Sequence, residues 1–515
     1  LPSLDTINSR LRVRLGEALA TVSKESRPLE KVTTTNLDAL RAYSLGLKSD
    51  DGGDQTQAEI LYKHAVALDT DFARARIALG NLYLDMDRRA EAREQLDLAL
   101  ATSNRLGEKD RLLAQAWLTV FSSPRDALEK WKALATLEPD LFQAQGAYAY
   151  YLWIHANDFR AAIEADKRNA VPQNPNAGTG HYLLGTLFLG MERYQDAQRE
   201  FAEAKRIGTV FQNEYVAASF AAQRDYARIA ELKSSARPSV TPGQKVSAHL
   251  TNLALALDQG KWKDHALEMR AAEKTIGELD PINARVMDNA VLASKLLVAT
   301  SEQRAQLLAS VPTVALDAAA GVDDDVASLD ASLLFRAWLA TRFGDDVLAA
   351  RLSSRVSERV RAGDYPALGK LLDLVNASIG ARNGHLDESI RNLRAGFDGN
   401  ELYASHALLM RLLADKGDLR AAREQARWLA SHRGRAYTEV AAGEMFIPLN
   451  VHSSNLAKLR EAEYSIRLRE SADARKSLAE LRRFWPEDSM PAELAAELRR
   501  LDGQIESESK ASGGH

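Results

Sequence analysis

The chain has 515 residues, 45% of them hydrophobic, and it contains no cysteine, which excludes disulfide bonds and thiol catalysis. Its 67 basic and 71 acidic residues give a net charge of -4. Because these charges are spread along the chain without a long basic stripe, the composition argues against a general nucleic-acid binder. The sequence also contains no run of about 18 apolar residues, so it predicts no transmembrane segment.

Residues 1–35 predict a lead-in helix followed by a linker. Leucine, isoleucine and valine recur at helical spacing over residues 4–22. Pro28 and three consecutive threonines then favour an extended conformation, and Thr35 or Asn36 can cap the next helix. Since the chain begins with leucine rather than methionine, we expect it to be a fragment of a longer protein.

The stretch from Leu45 to Ala99 contains the same pattern twice, with a period of 34 residues. The matching positions are Gly46 and Gly80, Ala58 and Ala92, Tyr62 and Leu96, and Ala65 and Ala99. A fixed period of roughly 20 to 50 residues is typical of stacked supersecondary units. Each copy predicts two short amphipathic helices, with small residues where antiparallel helices approach closely. We therefore expect Gly80→Leu to force the helices of its hairpin apart, at a cost of about 1–3 kcal/mol.

This pattern resembles the tetratricopeptide repeat (TPR), in which Leu-Gly, a large residue, Ala, an aromatic residue, Ala and Pro recur. Further copies contain Ala127, Trp131, Leu134 and Pro139, and then Leu184, Gly185, Phe188, Tyr194, Ala197, Phe201 and Ala204. The resemblance implies an all-α fold, a right-handed superhelical solenoid of TPR and TPR-like helical hairpins. We assign residues 36–250 to the TPR array and expect one continuous core through it.

The rear part of the chain carries this signature more weakly. Residues 251–440 are predicted to be divergent TPR-like helical repeats, because turn-like sequences recur around Gly260, Gly384 and Gly417. Residues 321–325 predict an acidic loop within this region.

Residues 441–506 are predicted to contain an extended segment and C-terminal capping helices. The stretch from Ala442 to Ser453 is apolar, lacks helical spacing and contains Pro448, which is disfavoured inside a helix. Because its apolar side chains are costly to expose, we expect this stretch to pack across the concave surface of the rear repeats; the alternative is that it docks on another chain. Residues 507–515 are polar and predict a disordered tail.

Two other stretches resemble parts of bacterial signalling proteins. Residues 11–46 resemble the segment that opens the repeat array in proteins with an N-terminal serine/threonine kinase, nucleotide cyclase or winged-helix domain and a membrane helix. The stretch from Trp428 to Tyr437 is similar to cyclase-type members linked to peptide-modification systems. The resemblance implies a sensory or interaction module, tethered to a membrane upstream of Leu1 and placed on its periplasmic side. A cytoplasmic location is the alternative.

No motif in the sequence indicates catalysis, a cofactor or a metal ion. The glycines at Gly178 and Gly180 lack the preceding strand and the closely spaced third glycine of a dinucleotide site. Leu371 stands where a phosphate-binding loop needs serine or threonine. The ten histidines show no His-Glu-x-x-His pattern, and kinase and cyclase motifs are absent. We therefore predict that this chain is not an enzyme and needs neither cofactor nor metal.

Six side chains are candidates for a peptide-binding groove: Arg74, Asn81, Tyr148, Tyr151, Trp153 and Tyr182. In the TPR family the first helix of each hairpin lines the concave surface, so the resemblance implies that first-helix side chains face a ligand. Asn81 directly follows Gly80, where its amide can hydrogen-bond a peptide backbone. The alternative is ordinary packing for the aromatic residues and a solvated position for the polar ones.

The sequence thus predicts a non-enzymatic, protein- or peptide-binding TPR solenoid that forms the sensory or interaction region of a larger bacterial signalling protein. The alternative is a free-standing TPR scaffold that assembles a protein complex. A membrane helix and an output domain encoded immediately upstream of Leu1 would distinguish the first hypothesis from the second.

Overall fold

The computed structural model describes residues 34–101, 106–121, 124–209, 213–233, 241–310, 326–363 and 365–512. These residues form 26 α-helices with a few short 3₁₀ turns and no β-strand, which confirms the all-α prediction for the part of the chain that is described. The predicted lead-in helix and the acidic loop at 321–325 lie outside the described residues.

The chain divides into two compact units, one ending at Tyr148 and the other beginning at Ala149. The first unit holds helices α1 (Leu37–Asp51), α2 (Gln55–Leu68), α3 (Ala73–Asp85), α4 (Arg89–Ala101), α5 (Glu108–Leu118) and α6 (Pro124–Leu137). The division falls within helix α7 (Phe142–Ala156), at a point that the sequence pattern does not mark. The continuous core expected through residues 36–250 remains a prediction.

The remaining helices belong to the second unit. The earlier ones are α8 (Phe159–Asp166), α9 (Ala177–Gly190), α10 (Tyr194–Ile207), α11 (Glu214–Ala222), α12 (Tyr226–Lys233), α13 (Pro242–Asp258), α14 (Trp262–Thr275), α15 (Pro281–Val298) and α16 (Ser301–Ala309). The later ones are α17 (Val326–Phe343), α18 (Asp346–Ala362), α19 (Pro366–Arg382), α20 (Leu386–Ala395), α21 (Tyr403–Lys416), α22 (Leu419–Ser431), α23 (Arg433–Thr438), α24 (Phe446–Arg467), α25 (Ser471–Arg482) and α26 (Ala492–Ser512). Consecutive helices pack as hairpins, for example α9 with α10 and α21 with α22.

The glycines of the repeat pattern lie where the two helices of a hairpin approach each other. A Cβ atom at Gly46, Gly80 or Gly185 would lie 2.6, 2.8 or 2.6 Å from a side-chain atom of Tyr62, Leu96 or Phe201, respectively. In each case the contacted residue is 16 positions further along the chain. The large side chain of the second helix thus fills the space that the missing side chain of the first helix leaves. These contacts confirm the hairpin register predicted from the sequence.

The ends of several helices follow from local sequence signals. The Asn36 side chain caps α1 by accepting hydrogen bonds from the backbone N–H groups of Asp38 and Ala39, as expected for an N-cap asparagine. Gly260, Gly384 and Gly417 adopt φ angles of +63°, +92° and +89° in turns between helices, a conformation that glycine adopts without strain. The turns predicted at these three glycines are therefore confirmed.

Residues 433–455, which we call the return segment, bring the chain back into the interior of the second unit. Helix α23 packs against α9 and α11, which are far earlier in the sequence. Helix α24 packs against α13, α15, α21 and α22. Nearly every residue of the return segment is buried. The interior of this unit is thus filled by its own chain.

The extended conformation predicted for residues 442–453 is wrong, because helix α24 begins at Phe446. Pro448 is the third residue of this helix, where a backbone N–H has no intrahelical acceptor, so its missing donor breaks no hydrogen bond. Residues 446–455 are buried on all sides, so this part of the helix has no solvent-exposed face and its sequence shows no amphipathic spacing.

The disordered tail predicted from residue 507 is also corrected, because helix α26 continues to Ser512. Leu498, Leu501 and Ile505 on this helix are buried and fix its orientation. Once a helix is nucleated, each further residue adds a hydrogen bond at low cost, and no proline interrupts the polar residues that follow.

Candidate functional site

Arg74 and Asn81 lie on helix α3 of the first unit. The Nε–H of Arg74 donates to the carboxylate of Asp110 at 3.0–3.1 Å, and Asp110 on helix α5 is buried. The Arg74 side chain itself is 43% exposed. The Oδ1 atom of Asn81 is buried and has no hydrogen-bond partner within the described residues. Arg74 therefore neutralises a buried carboxylate, whereas Asn81 retains an unused hydrogen-bonding atom.

The three candidates on helix α7 differ in accessibility. Tyr148, the last residue of the first unit, is partly exposed. Tyr151 is 6% exposed, and its ring lies 5.1 Å from the ring of His155. Trp153 is 4% exposed and donates its Nε1–H to the backbone carbonyl of Thr438, in the return segment, at 2.9 Å. Tyr151 and Trp153 thus have packing partners within the second unit.

The structure brings Trp153 and Tyr182 together through Tyr215, a residue that the sequence pattern alone did not single out. The Tyr215 ring on helix α11 lies 5.8 Å from the Trp153 ring and 6.2 Å from the Tyr182 ring on helix α9. Tyr182 also contacts Phe201, with ring centroids 5.5 Å apart. Tyr150, which is 45% exposed, extends this aromatic surface with its ring 6.0 Å from Trp153.

Tyr150, Tyr182, Tyr215 and Ser247 lie on α7, α9, α11 and α13, the first helices of successive helix pairs. We call these four residues the first-helix row. They are separated by 32, 33 and 32 residues, which is close to the repeat period, and each is at least partly exposed. The spacing from Tyr182 to Tyr215 is one residue shorter than the 34-residue period of the first two copies, so a strict shift of one repeat from Tyr182 reaches Val216 and not Tyr215.

Two carboxylates lie beside Tyr215. Glu214, the first residue of α11, forms no ion pair with any basic side chain of the described ranges, and burial raises its pKa. Glu444, in the return segment, accepts a hydrogen bond from the Ser247 hydroxyl at 3.4 Å. Burial raises the pKa of Tyr215, and the nearby Glu444, Tyr182 and Glu214 raise it further. Two carboxylates therefore lie beside the aromatic rings.

Two other findings bear on the kind of site present. Within the described ranges, no group of three or more histidine or acidic side chains is arranged to hold a metal ion. Among the helices that the structure describes, none is both long enough and apolar enough to span a bilayer. The roles predicted for the six groove candidates remain predictions.

The sequence matches no protein-family model, and comparison with curated proteins gives no significant match. The contacts at Gly46, Gly80 and Gly185 described above establish that the helices pack as hairpins. The chain is an all-helical protein with TPR-like hairpins.

Solved TPR structures show a distant likeness to this chain. YrrB, a TPR protein with an unusual peptide-binding site, is 20% identical, with 33% of this chain and 86% of that chain covered and a TM-score of 0.21. Yeast Tom70 is 12% identical, with coverages of 92% and 96% and a TM-score of 0.24. The TPR domain of P58(IPK) is 15% identical, with coverages of 80% and 98% and a TM-score of 0.19. At these scores no residue role is transferred from those proteins to this chain.

Proposed function

We propose that this chain is a protein- or peptide-binding scaffold whose ligand lies along the first-helix row. The row is the observation that carries the proposal, because successive helix pairs each contribute one partly exposed side chain at a similar spacing. A repeat array of this kind offers a ligand several equivalent contacts along its length. Tyrosine suits such a surface, since it supplies a large contact area and a hydroxyl group at a low cost in conformational entropy.

Selection of random peptides by the purified full chain tests this proposal. We expect enriched peptides whose affinity falls at least tenfold in Tyr215→Ala, as measured by fluorescence anisotropy. Leu267→Ala is the matched control, because Leu267 is 59% exposed on helix α14, the second helix of its pair, and its loss should leave binding unchanged. Thermal unfolding of both variants checks that they are folded. The absence of any enriched peptide, or equal loss in both variants, would contradict the proposal.

We also propose that the scaffold is the sensory or interaction region of a larger bacterial signalling protein, on the periplasmic side of a membrane. The resemblance of residues 11–46 and 428–437 to such proteins supports this assignment. The sequence immediately upstream of Leu1 in the gene tests it, and a membrane helix and an output domain are expected there. A gene that encodes no such elements would favour the alternative of a free-standing scaffold.

The chain itself is proposed to be non-catalytic, so its contribution is recognition. The lack of cysteine and of kinase or cyclase motifs in the sequence supports this proposal. The purified chain should therefore release no product from ATP or GTP. Turnover that persists through a further purification step would overturn it.

A further inference from the structure

The aromatic side chains of the second unit are arranged so that several of them can contact one positive charge. Tyr150, Trp153, Tyr215 and Tyr182 form a continuous series, in which successive ring centroids are 6.0, 5.8 and 6.2 Å apart. The planes of the first two ring pairs meet at 76° and 71°, so these rings pack edge to face and are not stacked in parallel. Aromatic faces carry negative electrostatic potential and attract cations that lie within about 6 Å.

Carboxylates from two different parts of the chain lie beside these aromatic rings. Glu214 precedes Tyr215 in the sequence, is only partly exposed, and has no basic partner among the described residues. Glu444 reaches the same surface from the return segment, where it bonds to the Ser247 hydroxyl and lies close enough to Tyr215 to raise the pKa of its phenol. For Glu214, a partly buried carboxylate without a basic partner among the described residues, the charged form is unfavourable, and a cation supplied by a ligand would remove that cost.

We propose that this surface binds the side chain of a lysine or arginine in a peptide ligand. The inference rests on the proposed function and adds the chemistry of the ligand. The cationic group would lie against the rings of Tyr182 and Tyr215, between the carboxylates of Glu214 and Glu444. A peptide with an acidic residue at the same position would be repelled by both carboxylates.

Three pools of synthetic peptides provide the probe. The pools are identical random 12-residue mixtures except at one central position, which is arginine, norleucine or glutamate. We expect the full chain to bind the arginine pool at least tenfold more tightly than the norleucine pool, with the glutamate pool weakest. Because the interaction is electrostatic, the preference for arginine should also shrink as salt is raised from 50 to about 500 mM. This salt measurement needs no variant, so it does not depend on whether a variant folds.

The double variant Glu214→Gln and Glu444→Gln should reduce the affinity for the arginine pool to that for the norleucine pool. Glu164→Gln is the matched control, since the Glu164 carboxylate is 72% exposed on helix α8 and its loss should change nothing. Equal binding of the arginine and norleucine pools, or an arginine preference that survives in the double variant, would overturn the cation site and leave the scaffold function standing. Failure of every pool to bind would overturn both.

Discussion

Arg433 forms a buried ion pair that joins distant parts of the second unit. Its guanidinium is 6% exposed and contacts both carboxylate oxygens of Asp258 at 2.8 Å. It also donates to the backbone carbonyls of Ala221 and Ala222, each at 2.9 Å. Burial by itself would raise the pKa of Asp258, but Arg433 and the nearby Arg224 lower it overall. The carboxylate therefore stays charged in the interior because the guanidinium is present.

Replacing Arg433 with methionine should destabilise the protein by about 3–5 kcal/mol, because it removes the closer of the two arginines that compensate the buried Asp258 carboxylate and leaves only Arg224, 3.6 Å away. Arg342→Met is the matched comparison. Arg342 contacts the hydroxyl of Ser453 at 3.3 Å and forms no ion pair among the described residues, and burial lowers its pKa to about 10. We therefore expect Arg342→Met to be neutral or stabilising. Urea unfolding of both variants measures the difference, and equal destabilisation would contradict the assignment.

The close contacts at the repeat glycines lead to a second prediction, which concerns single substitutions. Gly185→Ala should destabilise the protein by about 1–3 kcal/mol, because the new Cβ would lie 2.6 Å from the Phe201 ring. Gly369→Ala is the control, since a Cβ atom at Gly369, within helix α19, would meet nothing within 4 Å, and alanine favours a helix by about 0.5–1 kcal/mol. The two substitutions should shift the unfolding midpoint in opposite directions. Equal shifts would show that the hairpin register is wrong.

At the scale of elements, the sequence predicts the hairpins well and the return segment poorly. The contact between Gly185 and Phe201 is local, so a fixed spacing of 16 residues reveals it. Helix α23, in contrast, is fixed by distant groups: the carboxylate of Glu192 accepts hydrogen bonds from the backbone N–H groups of Gly434 and Arg435 at 3.0 and 2.9 Å. No periodic pattern encodes such a contact between residues more than 240 positions apart.

The contact between α23 and α9 explains why the conformation around residue 434 could not be predicted from the local sequence. A Cβ atom at Gly434 would lie 2.0 Å from the carbonyl oxygen of Leu189, so the two backbones are in direct contact. Trp428, just before this helix, stacks between His406 and His432, with ring centroids 3.4 and 4.0 Å away. The stretch from Trp428 to Tyr437 therefore packs closely within this unit.

Phe446→Ala tests how firmly the return segment is packed. Phe446 is 2% exposed at the start of helix α24, and its ring meets the buried Phe335 ring edge-on at 4.6 Å. Removing the ring should cost about 3–5 kcal/mol, whereas Val347→Ala, at a position that is 82% exposed, should be nearly neutral. Amide exchange across residues 449–455 should be slow in the wild-type monomer. Rapid exchange there would show that the segment leaves the interior readily.

At the scale of the whole molecule, the site combines predictable and unpredictable parts. Tyr182 is a candidate from the sequence, whereas Tyr215 lies one residue short of a full 34-residue period from it and is found only from its ring contact with Tyr182. Glu444 could not be selected, because only the path of the return segment brings it to Ser247 across 197 positions of sequence. The approximate spacing of the first-helix row is a feature of the sequence, whereas the position of Glu444 beside the row depends on the tertiary fold.

Several histidines of the second unit have lowered pKa values, which makes its stability depend on pH. Burial lowers the pKa of His155 and His265 to about 4 and that of His452 well below its ordinary value. A histidine of the unfolded chain titrates near 6.5, so between that pH and about 4 the unfolded state binds more protons than the folded state. The contribution of these histidines to stability is therefore complete above pH 6.5 and decreases as the pH falls.

His265 isolates this effect, because it is 1% exposed and its Nε2 has no hydrogen-bond partner among the described residues. Between pH 7 and pH 5 the wild-type chain should lose about 2 kcal/mol more stability than His265→Leu, which has no group to protonate there. Comparing each protein with itself at the two pH values removes any constant effect of the substitution. Buried carboxylates such as Glu192, whose pKa is raised by burial, act in the opposite direction in both proteins and cancel in the difference. Urea unfolding at the two pH values measures the result, and identical losses would show that His265 accepts a proton in the folded state.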